Sequence, residues 1–147
     1  MTKQLLKALL LLAALLATAL ATQARPDLIV SSAMITRDGM YVSNITVTVT
    51  NACRQSSARA SYVLVTFKQG SQPGAKPIYF IGNTVKALKG GESQSQTFDV
   101  SNKKIEVGRY IYIETDPYKK VAEASEDNNW RSLFPDAFGN STVRCSE

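Results

Sequence analysis

From Pro26 to Asp116 the chain alternates apolar and polar residues with a period of two, the spacing that sends successive side chains to opposite faces of a β-strand. Asp27-Leu28-Ile29-Val30 opens a first strand, and Arg37-Asp38-Gly39 reads as a turn because glycine tolerates positive φ. The second strand is the clearest. In Ile45-Thr46-Val47-Thr48-Val49-Thr50 the aliphatic side chains share one face and the three threonines the other, with β-branching at every position favouring the extended backbone.

Tyr62 to Phe67 forms a third strand with Val63, Val65 and Phe67 on one face and Tyr62 and Leu64 on the other, so both faces are expected to be partly covered. Gln69 to Gly74 is a glycine- and proline-broken loop, Ile78 to Ile81 a short apolar edge, and Lys89-Gly90-Gly91-Glu92 a turn into a polar strand that ends at Phe98 and Val100. Tyr110 to Glu114 gives a further strong strand, with Ile111 and Ile113 facing the core and the tyrosines opposite. Trp130 to Pro135 starts the last strand, and Asp136 to Asn140 is turn-rich. Six or seven short strands with regular turns predict a two-sheet sandwich.

Ahead of this region lies a different pattern. Lys3 and Lys7 precede a leucine and alanine run from Ala8 to about Leu16, followed by Ala19-Leu20-Ala21 and Thr22-Gln23-Ala24, small residues at the positions a signal peptidase reads. The run is shorter than the ~20 residues that cross a bilayer comfortably, so it reads as a cleaved leader and not an anchor. We expect a signal peptide over 1–24, with a cut after Ala21 as the alternative, and one domain over 25–147. Contact with the membrane is then confined to export, and the destination is secreted or periplasmic. Losing the leader removes two lysines, so the formal +5 falls to +3, with 15 basic against 12 acidic residues. The remaining bases are scattered, without a stripe interleaved with aromatics, which leaves nucleic-acid binding unsupported.

The two cysteines, Cys53 and Cys145, would meet an oxidising compartment after export, and we expect one disulfide between them. Closing a loop of about 90 residues contributes at most roughly 4–5 kcal/mol by chain entropy. Their separation, with no CxxC spacing, argues against a redox pair.

The segment DPYKKVAEASEDNN, Asp116 to Asn129, is distinctive because a strand runs into acidic residues and closes on two asparagines. It resembles the end of a CARDB domain, the cell-adhesion-related domain found in bacteria. Pro26-Asp27-Leu28 is similar to that family's opening, ITVTVTN (Ile45 to Asn51) to its second strand, Gly91-Glu92-Ser93 to its mid-domain turn and Gly108-Arg109-Tyr110 to its last hairpin. The resemblance spans about Pro26 to Trp130. It implies an all-β, immunoglobulin-like antiparallel sandwich of about seven strands. Two features depart from the family: Ala52-Cys53 stands where a small residue and glycine are usual, and the tail lacks a plain alternating final strand.

Histidine is absent, which removes the usual neutral-pH base and the commonest zinc ligand, and no GxSxG, phosphate loop or dinucleotide fingerprint occurs. No cofactor is expected. The one cluster with chemical potential is Asp116, Glu123, Glu126 and Asp127, with Asn128 and Asn129, oxygen donors of the type calcium takes. The spacing is not an EF-hand loop and Lys119 and Lys120 intervene, so the stronger reading is a loop whose carboxylates satisfy backbone N–H groups. Trp130, Phe134 and Phe138 either pack over one end of the sandwich or form a patch for a partner.

These observations favour an exported, non-catalytic binding or adhesion-type module for a protein or a cell-surface polymer. A structural accessory subunit of an envelope assembly is the first alternative. A carboxylate-based hydrolase is the second, and it requires two carboxylates facing each other across a cleft.

Overall fold

The structure is a computed structural model that describes residues 24–133 and the two strand positions 138 and 139. Eight strands follow in order: β1 (Leu28–Asp38), β2 (Tyr41–Asn51), β3 (Ser61–Lys68), β4 (Pro77–Val85), β5 (Ser93–Asp99), β6 (Ile111–Thr115), β7 (Trp130–Leu133) and β8 (Phe138–Gly139). Among the described residues there is no α-helix, only one 3-10 turn at Ser101–Lys103. The leader expected over 1–24 lies outside the described residues except for Ala24.

The strands form two antiparallel sheets, β1-β2-β5 and β4-β3-β6-β7-β8. Alternation explains the layering. Ile45, Val47 and Val49 of β2 are buried and face Val63, Val65 and Phe67 of β3 and Ile111 and Ile113 of β6 in one shared core. Leu88, Phe98, Val100 and Ile105 seal its margins. Burying a side chain of this kind stabilises the fold by roughly 1.5–3 kcal/mol, so the pattern that specifies the strands also supplies the driving force.

The threonines on the other face of β2 are not idle. Thr46 bonds Thr97 at 2.9 Å, Thr48 bonds Ser95 at 2.8 Å and Thr50 bonds Ser93 at 2.7 Å, a cross-strand hydroxyl ladder that fixes the β2–β5 register.

Turns fall where glycine permits them. Gly39 closes the β1–β2 hairpin at φ +58°, and Gly91 holds φ +79° ahead of β5. Gly90 is required for another reason: a Cβ there would collide with the backbone carbonyl of Arg54.

Three details differ from the sequence reading. β4 extends from Pro77 to Val85, well beyond Ile78–Ile81, because it pairs with the whole of β3. Tyr110, expected on the outer face, is buried just before β6, where its backbone bonds Lys68 and Gly70 at the base of the β3–β4 loop. The β7 strand is short, and β8 adds a further edge beside it.

Candidate functional site

Two regions carry polar or exposed groups that demand an account: the acidic segment, and the outer face of the five-stranded sheet with its β4 edge.

The acidic segment turns inward. Asp116 adopts φ +49°, accepts hydrogen bonds at Oδ1 from Ser61 Oγ (3.0 Å) and Lys120 N (3.0 Å), and accepts at Oδ2 from Val121 N (2.8 Å). Its carboxylate therefore caps the loop that follows β6, the role expected of an aspartate in a tight turn. Glu123 is buried. Its Oε2 accepts from the Leu28 amide and its Oε1 from Asn129 Nδ2 at 3.1 Å, which ties the segment to the first residue of β1. Asn128 Nδ2 donates to Asp27 Oδ1 at 2.9 Å. Asn51, at the end of β2, completes the knot: its Oδ1 accepts from Asp27 N (3.1 Å) and Cys53 N (3.3 Å), and its Nδ2 donates to Ser56 O (2.8 Å) and Leu88 O (3.3 Å). One buried amide thus joins four stretches of chain.

Burial pushes the Glu123 carboxyl up to about 8; the Leu28 amide opposes this, while the nearby negative charges of Glu126, Asp116 and Asp27 add to it.

Of the four carboxylates considered for calcium, Asp116 and Glu123 are buried and engaged with backbone N–H groups, whereas Glu126 and Asp127 are exposed. Among the described residues no group of three or more His, Cys, Asp or Glu side chains is placed to hold a metal ion. The paired carboxylates that a hydrolase needs in an open cleft are not formed by this segment, because its two inward acids end on the protein's own backbone.

The outer face of the five-stranded sheet is aromatic. Register places Phe80, Thr66, Tyr112 and Ser132 in one cross-strand row, and Gly82, Leu64, Glu114 and Trp130 in the next. The Tyr62 ring lies across Gly82, where a Cβ would strike it, and Tyr118 tilts against Tyr62 at 5.8 Å. Tyr112 and Trp130 stack at 5.9 Å with 26° between their planes. Burial pushes Tyr112 up to about 12, with the Glu114 charge adding to it, and burial also raises Glu114, with Lys119 opposing. At the free margin, β4 leaves Phe80 68% and Ile78 49% exposed, and no charged residue occurs between Pro77 and Val85.

Trp130 is half-buried and packed on Tyr112, so it joins this face and does not stand free. Phe134 lies outside the described residues; Phe138 contributes its backbone to β8 beside Ser132. The sequence marked Ile78 to Ile81 only as an edge. The shared parity of Ile78 and Phe80 was the signal that both would face the same way.

The CARDB family model matches residues 25–133. The chain belongs to the CARDB family. A domain of a predicted cell surface protein from Methanosarcina acetivorans, solved by NMR, superposes with a TM-score of 0.58 at 19% identity, covering 82% of this chain and 96% of that one. This likeness shows the fold, the immunoglobulin-like sandwich expected from the sequence. β-Glucosidases from Listeria innocua (16% identity, TM-score 0.39, 67% of this chain and 15% of that one) and Kluyveromyces marxianus (13%, 0.38, 80% and 15%) also align, too loosely to carry an argument. Among curated proteins none matches.

Within this CARDB chain, the asparagine that closes ITVTVTN is the Asn51 at the centre of the knot, and the closing Asn128-Asn129 pair reaches Asp27 and Glu123. The family-like motifs are thus the residues that shut one end of the sandwich. The departure at Ala52-Cys53 sits against them: Cys53 is fully buried and its N–H is held by Asn51. Its expected partner, Cys145, lies outside the described residues.

Proposed function

We propose that this CARDB chain is an exported, non-catalytic module that binds a protein or polymer of the cell surface. The β4 edge around Ile78 and Phe80 is its contact. The observation that carries the reading is the exposure of these two large apolar side chains on an uncharged strand whose outer edge has no partner among the described residues, a feature soluble domains usually blunt with charge or cover. An open edge offers backbone hydrogen bonds, and the exposed side chains supply apolar area next to a wall of tyrosines.

Family membership, the leader-like start, the kinship with a domain of a predicted surface protein and the lack of histidine support the same reading. Among the described residues no helix is long and apolar enough to cross a membrane.

The test compares the exported protein with its Ile78→Glu/Phe80→Glu variant for binding to isolated cell envelopes. The variant is expected to lose roughly tenfold or more in affinity at unchanged circular dichroism, since burying the exposed parts of two such side chains is worth roughly 2–3 kcal/mol. Equal binding by both proteins would reject the edge; no binding by either would reject the module. Recovery in a complex of fixed stoichiometry would assign it to an envelope assembly.

A further inference from the structure

Beside the start of β1 two cavities adjoin, one of about 510 Å³ reaching Arg25, Gln55 and Ser56, and one of about 300 Å³ reaching Arg59 and Lys120. Pro26 and Ser57 line both, so they form one groove around the entry of the chain into the sandwich. Every ionisable group among its described lining residues is a base. Arg25, Arg59 and Lys120 are exposed, and none takes part in the ion pairs of the described residues, which are Lys86–Glu92 and Arg109–Glu106.

The two buried acids of the neighbouring segment are engaged elsewhere. Asp116 spends its oxygens on Ser61 and on the amides of Lys120 and Val121, and Glu123 spends its own on Leu28 and Asn129. These same bonds build the groove: Asp116 fixes the Lys120–Val121 wall, Asn51 fixes Ser56 through its carbonyl, and Ala124 N holds Pro26 O at 2.8 Å. Ser56 Oγ is buried without a hydrogen-bond partner. The groove therefore places a buried hydroxyl without a partner beside three bases that form no ion pair among the described residues, a composition suited to an oxyanion.

We propose that this groove is an anion-binding site for phosphate or carboxylate groups carried on a surface polymer. It is distinct from the β4 edge. The guanidinium groups of Arg25 and Arg59 supply planar forks that match either oxyanion, Ser56 and Ser57 donate hydroxyls, and Lys120 adds a mobile point charge that in the free protein rests over the Tyr118 ring at 5.7 Å. If the leader is cut after Ala24, the new α-ammonium falls on Arg25 itself, at the wall of the groove. Export would then complete the site by adding a positive charge that the precursor lacks.

The exported protein, labelled with nitrogen-15, is titrated by NMR with inorganic phosphate, with an oligomeric glycerol phosphate and with an oligouronate. Expected are saturable shifts centred on Ser56, Ser57, Arg59 and Lys120, tighter for one oligomer than for free phosphate and weakened by salt. That preference identifies the source of the oxyanion. Arg59→Glu/Lys120→Glu should weaken binding roughly tenfold or more, as loss of charge-assisted contacts implies. Lys103→Glu/Lys104→Glu, at the opposite end of the sandwich, should leave it unchanged, as should Ile78→Glu/Phe80→Glu. Absence of saturable shifts, or an equal loss in the Lys103/Lys104 variant, overturns the proposal.

Discussion

Asn128 donates a 2.9 Å hydrogen bond to Asp27 across 101 residues of sequence, so the two extremes of the sandwich meet at one buried pair. Both side chains are fully buried. Asn128→Ala leaves the Asp27 acceptor without that donor, and the expected cost is about 1–3 kcal/mol, read as a lower urea midpoint at unchanged slope. A variant as stable as the parent would show that the pair contributes nothing net.

Glu123 makes stability depend on pH. Its folded pKa of about 8 exceeds the reference value of 4.5, so between these values the folded state holds more protons than the unfolded chain. Its contribution is fully present below about pH 4.5 and is lost as pH rises toward 8, at up to about 1.4 kcal/mol per unit. Glu123→Gln keeps an oxygen for the Leu28 amide, and its NH₂ can meet Asn129 Oδ1, which has no partner, once that amide turns over. Urea melts from pH 5 to 8 should slope downward for the parent and be flatter for the variant; parallel slopes would clear Glu123 of the effect.

The Cys53–Cys145 bridge remains our expectation. Cys53 is buried at the Asn51 end and its thiol is unbonded among the described residues. Intact mass of the exported protein under non-reducing conditions should be two hydrogens below the reduced value, and reduction should cost stability up to roughly 4–5 kcal/mol. Alkylation of both thiols without reductant would rule the bridge out.

Gly90→Ala is expected to destabilise by about 1–3 kcal/mol or prevent folding, since the new methyl meets the Arg54 carbonyl and backbone must shift. Gly74→Ala, where a Cβ meets open space, is the matched control and should be nearly neutral in thermal denaturation.

The sandwich was legible where alternation was strong. Ile45, Val47, Val49, Ile111 and Ile113 face the core as their spacing requires, and the β2 threonines face outward. Tyr110 misled because alternation describes residues inside a strand, and Tyr110 sits just before one, held by the β3–β4 loop. The acidic segment showed its chemistry but not its direction. Its partners Asp27, Leu28 and Ser61 lie 55 to 101 residues away, and no local pattern encodes that an acid points at a distant amide. The cationic groove was illegible for the same reason: Arg25, Arg59 and Lys120 are scattered in sequence and meet only because the knot gathers their backbones.

That knot ties the entry of the chain into the sandwich to residues near the end of the domain. Asp27 and the Leu28 amide find their partners only in residues 123–128, so the entry of the first strand cannot close until almost the whole domain has been made. A single protease cut between Asp116 and Asn129 would therefore loosen the very start of β1, at Asp27 and Leu28, while the rest of that strand stays zipped to β2.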